Sequence, residues 1–185
     1  MKLLLTTSRK TSVRVRQFLK ELSYLFPKPF IQRTNRGKQS LEELFEYSKA
    51  KYDRILLITN RHGNPHKIIG YYKTKDEDFV WCFEFKLRYT KLSYEFDILP
   101  SSHPLKSKIH FINFDSELEK VLTFFFEPFV TSKETVDEIE SMHVFFDHNE
   151  NGFSLYPTDA HQNMLPPEIL IDEIIIEDPE ITRAY

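Results

Sequence analysis

The sequence has few of the residues that mark disulfide-rich, zinc-binding or membrane-spanning proteins. Cys82 is its one cysteine, so no disulfide can form within the chain and no cysteine-based zinc site is supported. No apolar run reaches the roughly 18 residues that a membrane helix needs. The opening run at residues 3–5 is too short for a signal peptide. We therefore expect a cytoplasmic protein that does not associate with membranes.

Glycine is also scarce, with 4 residues, whereas phenylalanine and tyrosine are abundant, with 17 and 9. This composition predicts a chain rich in helices and strands, with few long flexible loops. The length of 185 residues fits one domain, or two small halves that share a core.

The net charge of −3 conceals an uneven distribution along the chain. Residues 1–75 contain 17 lysines and arginines against 5 acidic residues, whereas residues 76–185 contain 8 against 23. A basic part of this kind is typical of proteins that bind a polyanion. The alternative is that the two oppositely charged parts attract each other within the fold.

Apolar periodicity predicts the elements of the first half. Residues 3–7 fit a buried strand, and a helix should begin near Thr11 or Ser12 and carry one apolar stripe. Residues 40–43 have the form of a capping box for a second helix. Residues 54–59 fit a buried strand. A turn is expected at residues 60–65, and further strands at residues 67–73 and 81–92. In the latter strand aromatic and apolar residues from Trp81 to Tyr89 alternate with more polar ones, so one face should be buried and the other exposed to solvent.

The second half repeats this order of elements. We predict a strand at residues 109–114, a helix with a capping box that begins at Ser116, and a strand at residues 142–146. A hairpin turn at residues 149–152 and a last strand at residues 170–176 complete the pattern. The fold class is therefore α/β (α+β), with a mixed β-sheet and helices in each of two similar halves. We expect a single domain, residues 1–185, made of a basic half (1–100) and an acidic half (105–185).

Three basic segments lie where predicted strands end or helices begin. The first (residues 6–16) crowds four cations at a helix N-terminus, which the macrodipole already makes positive. An arriving phosphate would offset that repulsion, because free N–H groups at this end bind anions. The second (residues 32–40) precedes the second helix. The third (residues 60–67) follows the clearest strand, and ligands of α/β sheets favour such carboxyl ends. We predict that all three converge; the alternative is that the cations only confer solubility.

Motifs of known enzyme classes are missing from the sequence. It contains no phosphate-binding Gly-x-x-x-x-Gly-Lys-Ser/Thr loop, no Gly-x-Gly-x-x-Gly and no Gly-x-Ser-x-Gly. His62 and His66 have metal-like spacing, but Gly63 and Pro65 prevent the helix that would align them. An enzyme acting on phosphate esters would lack an evident base. We expect no catalytic residue, no metal and no cofactor.

The basic segments resemble the motifs of a known family. Residues 6–12, with Arg14 and Arg16, are similar to the opening motif of the Brix-domain family. Residues 36–44 resemble its second motif, and residues 55–59 followed by Gly63-Asn64-Pro65 resemble its third, all at the family's spacing. The short chain resembles a stand-alone archaeal member. Two departures are that Thr11 stands where the family often has proline, and that residues 76–185 match only by pattern.

The resemblance implies two similar halves, each like the anticodon-binding domain of class IIa aminoacyl-tRNA synthetases. It also implies a non-catalytic role in pre-rRNA processing and ribosome assembly, with rRNA or pre-rRNA as the partner and ribosomal proteins as further partners. The alternatives are a tRNA-binding module and an assembly factor that bridges basic ribosomal proteins and RNA.

On this interpretation the RNA-binding residues come from all three basic segments. The predicted phosphate contacts are Arg9, Lys10, Arg14, Arg16, Arg36, Lys38 and Arg61. The predicted hydrogen-bonding residues that fix the register of the RNA are Ser8, Ser12 and Asn35.

Overall fold

The computed structural model describes residues 1–96, 106–126, 141–150 and 152–177. Within these ranges the strands are β1 (Leu3–Thr7), β2 (Ile31–Arg33), β3 (Arg54–Arg61), β4 (Asn64–Lys73), β5 (Phe79–Lys91), β6 (Lys106–Ile112), β7 (Ser141–Asn149), β8 (Gly152–Thr158) and β9 (Glu168–Ile176). The helices are α1 (Val13–Ser23), α2 (Leu41–Lys49), α3 (Ser93–Phe96) and α4 (Ser116–Phe126).

All nine described strands belong to one mixed sheet in the order β2-β1-β3-β4-β5-β9-β8-β7-β6. β1 is parallel to both β2 and β3, and β6 is parallel to β7, whereas the other neighbours are antiparallel. The predicted mixed α+β class is confirmed. The strands form a continuous sheet instead of one sheet per half, because the 13-residue β5 pairs with β4 on one side and with β9 on the other.

Helices cover both faces of the sheet around β1. Alternate residues of β1 point to opposite sides: Leu3 and Leu5 join the large core beneath α1 and α4, whereas Leu4 packs with Leu44 and Ile55 beneath α2. The predicted apolar stripe of α1 and the following turn is buried throughout: Val15, Phe18, Leu19, Leu22, Leu25 and Phe26. The part of the sheet around β1 therefore has a helix packed on each face. This packing fixes the loops that leave the edge of the sheet.

Two local predictions differ from the structure. In β5 the expected alternation would bury Tyr89, but its side chain is 44% exposed and Thr90 is buried, because a bulge shifts the register between Leu87 and Tyr89. The capping box predicted at Ser116 is wrong. Asp115 Oδ1 caps α4 instead and accepts from the backbone N–H of Glu117 at 2.8 Å. The capping box at residues 40–43 is confirmed, with Ser40 and Glu43 bonded reciprocally.

The turn predicted at residues 60–65 is shorter in the structure. His62 and Gly63 alone form it, both with positive φ, and the residues on either side extend β3 and β4. β2 and α3 were not predicted. The expected boundary between the halves, near Pro100 to Pro104, lies outside the described residues.

Candidate nucleic-acid interface

The three basic segments meet at one edge of the sheet. Since β1, β2 and β3 are parallel, their carboxyl ends lie at the same edge. The Ser8 N–H donates to the Ile58 carbonyl at 2.8 Å, and the Thr34 N–H donates to the Leu5 carbonyl at 3.0 Å. The Asn60 side-chain amide donates to the carbonyl of Lys10. Hydrogen bonds to backbone carbonyls therefore hold together segments that are distant in sequence.

Ser12 links the first and third segments. Its Oγ accepts from the Val15 N–H at 3.1 Å, which caps α1, and donates to the Gly63 carbonyl at 2.5 Å. Because the Ser12 hydroxyl both accepts and donates a hydrogen bond within the protein, its role at this edge is to hold the β3–β4 turn against the start of α1. Ser8 is half-buried and holds the end of β1 against β3 through its backbone N–H.

Arg9 and Arg36 form a pair of like charges beside the start of α2. Arg9 is exposed and Arg36 is half-buried. Burial, and then the charge of Arg9, lower the pKa of Arg36. The Arg36 Nε is buried and has no hydrogen-bond partner in the described part of the chain. The pKa of nearby Glu42 is lowered mainly by its own backbone N–H and by Ser40, and further by both arginines. An anion at this place would offset the repulsion between the two guanidinium groups.

Lys10, Lys38 and Arg61 are exposed along the same segments. None of the three, nor Arg9, Arg16 or Arg36, makes an ion pair with any described residue. Burial lowers the pKa of His66, and the charges of Arg61 and Lys67 add to that effect. The third segment is therefore a region of positive potential.

Arg16 and Asn35 line a surface cleft of about 280 Å³ between α1 and the end of β2. Arg33 and Lys20 line the same cleft but were not among the predicted site residues. Two sequence signals point to them. Lys20 lies four positions after Arg16 and so shares its helix face, and Arg33 belongs to the second basic segment.

Arg14 differs from the other predicted cations. Its Nη2 donates to the Thr90 carbonyl at 2.8 Å and lies 3.1 Å from Glu95 Oε2. Its Nη1 donates to the Tyr94 hydroxyl. These contacts tie α1 to the end of β5 and to α3. The structure thus places Arg14 in an internal network instead of among the unpaired cations.

The described residues contain no group of three or more His, Cys, Asp and Glu side chains placed to hold a metal ion. Cys82 is buried, and burial raises the pKa of its thiol to about 12. None of the helices in the described ranges has the length and apolar character required to cross a membrane.

Sequence comparison finds relatives that match about a third of the chain. No protein-family model matches. A probable Brix domain-containing ribosomal biogenesis protein of Aeropyrum pernix is 44% identical over 62 residues, which cover 33% of each chain. Its counterpart in Sulfurisphaera tokodaii is 36% identical over 74 residues, 38% of this chain and 40% of the relative. A Brix domain-containing protein of Caenorhabditis elegans is 40% identical over 65 residues, 35% of this chain and 22% of the relative.

The resemblance to Brix-domain proteins is confirmed. The sequence alignments span between 22% and 40% of the relatives' own lengths. Solved structures extend the likeness of fold to nearly the whole chain. The crystal structure of a probable ribosomal biogenesis protein from Aeropyrum pernix has a TM-score of 0.72 at 24% identity and covers 92% of this chain and 94% of that one. Mil, an archaeal Imp4-like protein, has a TM-score of 0.63 at 19% identity and covers 95% of this chain and 99% of that one.

Proposed function

We propose that this protein is an RNA-binding ribosome-biogenesis factor that acts in pre-rRNA processing and ribosome assembly without catalysing a reaction. Its archaeal relatives are named as ribosomal biogenesis proteins, and these names include no enzyme activity. One observation carries the proposal for RNA. Three basic segments meet at the carboxyl edge of parallel strands, and most of their cations make no ion pair with a described residue.

Phosphate contacts supply most of the affinity of proteins for nucleic acid. In the proposed complex Arg9 and Arg36 share a phosphate, because an anion between them removes their mutual repulsion and gives the buried Arg36 Nε an acceptor. Lys10, Lys38 and Arg61 contact neighbouring phosphates. The hydrogen bonds that join the segments hold these cations in place before the RNA arrives.

We further propose that the chain consists of two similar halves, residues 1–100 and 105–185, each like the anticodon-binding domain of class IIa aminoacyl-tRNA synthetases. The strand order supports this division. In the first half β1, α1, β3, β4 and β5 occur in this order, with β2 and α2 inserted between α1 and β3, and β1 and β3 are parallel. In the second half β6, α4, β7, β8 and β9 repeat that arrangement with β6 and β7 parallel.

The double variant Arg9→Gln with Arg36→Gln tests the proposed phosphate site. We expect about a tenfold loss of affinity for a single-stranded rRNA fragment, because the shared phosphate loses both of its cationic partners. Since one phosphate contact is lost, the slope of log K against log salt should become shallower by roughly 0.7. Fluorescence anisotropy across a potassium chloride series measures both quantities.

The matched control removes two exposed cations elsewhere, Lys28→Gln with Lys120→Gln, and should leave the slope nearly unchanged. Affinity and slope that stay at the wild-type values in the arginine variant would sink the assignment. An equal loss in both double variants would show that only net charge matters.

A further inference from the structure

The cleft between α1 and the end of β2 combines three kinds of lining group. Its cations are Arg16, Lys20 and Arg33, and none of the described residues that line it is acidic. Arg16 Nη1 donates to the Thr11 carbonyl at 3.3 Å, which holds the guanidinium near the start of α1. The cleft is therefore positive and lies next to the carboxyl edge described above.

Two amide side chains, Gln17 and Asn35, also line the cleft. Gln17 Nε2 donates to Glu21 Oε1 at 2.7 Å. Glu21 is completely buried and also accepts from the N–H and the hydroxyl of Ser93. A carboxylate only accepts hydrogen bonds, so it fixes the amide with nitrogen towards Glu21. The Gln17 oxygen is left as an acceptor for a ligand.

The remaining lining is apolar. Leu19 is buried, whereas Val13 in the first turn of α1 is 73% exposed. Apolar atoms of this kind can pack against the flat face of an aromatic ring. The volume of about 280 Å³ lies at the lower limit of small-molecule sites, roughly 300 Å³, and suits one base instead of a base pair.

We propose that this cleft binds one unpaired nucleotide of a single-stranded RNA, with its base against the two amides and its flanking phosphates against the three cations. This inference rests on the proposed RNA-binding function and adds base selectivity to it. Proteins that recognise RNA sequence read splayed, unpaired bases in this way. The oxygens of Gln17 and of the exposed Asn35 amide can accept from an amino group on the edge of the base, which adenine and cytosine carry. Uracil presents two carbonyl oxygens and a single N–H there, so we expect it to bind more weakly.

The test uses the full chain and short homopolymers of adenylate, cytidylate and uridylate of equal length. We expect the wild-type protein to bind the adenylate and cytidylate strands several-fold more tightly than the uridylate strand. Asn35→Ala and Gln17→Ala should each reduce this preference without changing the salt slope. Lys20→Gln with Arg33→Gln should weaken binding to all three strands. The slope of log K against log salt should become shallower by about 1.4, because two phosphate contacts are lost.

Thermal unfolding of each variant shows whether it folds. Asn35 is exposed in a loop, so Asn35→Ala keeps the test decisive if Gln17→Ala, which takes a donor from buried Glu21, destabilises the chain. Equal affinity of the wild type for all three strands, or a preference that survives Asn35→Ala, would overturn the inference and leave the proposed function intact. Failure to bind any strand or any rRNA fragment would overturn both.

Discussion

Arginines that look alike in the sequence have different contacts in the fold. Arg14 is engaged by Glu95 and by the Thr90 carbonyl, whereas Arg36 has a buried Nε without a hydrogen-bond partner among the described residues. Both arginines were predicted to contact phosphates. The sequence alone does not separate them, because the groups that engage Arg14 follow it by about eighty positions, at the end of β5 and in the four-residue α3, which has no periodicity of its own. Arg14 remains a predicted RNA-binding residue, but its hydrogen bond to Thr90 and its ion pair with Glu95 indicate that it also stabilises the fold.

His66 should make both stability and RNA binding depend on pH. Its folded-state pKa is lowered, first by burial and then by the cations around it. The folded state therefore resists protonation, and the free energy of unfolding should fall as the pH drops below roughly 6.5, the ordinary histidine value. A phosphate bound beside Arg61 would favour the charged imidazole, so RNA affinity should rise as the pH falls from about 7.5 to 5.5.

Anisotropy titrations at several pH values measure this dependence. His66→Gln should flatten it, whereas His161→Gln, an exposed histidine outside the three basic segments, should not. A pH dependence that is unchanged in His66→Gln would contradict the placement of a phosphate beside Arg61.

At the scale of elements, helices and long strands followed from periodicity and capping chemistry. The α1 stripe and the Ser40 capping box were predictable because each depends on residues within a few positions of one another. β2 was not, because its three residues become a strand only by pairing with β1. The exposure of Tyr89 was not predictable either, since the bulge in β5 arises from its register with β9.

The packing of β4 against β5 depends on a glycine. A Cβ at Gly70 would lie 2.4 Å from Cε1 of Phe83, which is fully buried and packs against Phe85 and Phe125. Gly70→Ala should therefore lower the free energy of unfolding by about 2–3 kcal/mol, measured by urea denaturation.

Gly37→Ala provides the comparison. Its Cβ would meet no atom within 4 Å, but its φ of +65° disfavours a side chain, so we expect a loss of about 1 kcal/mol. In a Phe83→Leu background the effect of Gly70→Ala should shrink, because the ring that causes the clash is gone. A loss at Gly70 that persists there would show that the ring is not the cause.

At the scale of the whole molecule, the uneven charge has two consequences. Across the β5–β9 junction Lys86 faces Glu173 at 3.7 Å and Arg88 faces Asp172 at 2.5 Å, so part of the charge pairs within the sheet. The cations of the three basic segments that make no ion pair with a described residue lie at the carboxyl edge of β1, β2 and β3 instead. The division of charge is visible in the sequence. Which cations form ion pairs depends on which residues the strand register places opposite one another. The mixed fold class and the family resemblance were predictable; the continuous sheet was not.

The measurement that bears most directly on the proposed function is binding of the full chain to small-subunit rRNA fragments, with tRNA as competitor, across a salt series. We predict that one or more rRNA fragments bind more tightly than tRNA and that their affinity falls steeply with salt, because several phosphates are contacted. Absence of binding, or equal affinity for tRNA, would contradict an rRNA-binding function.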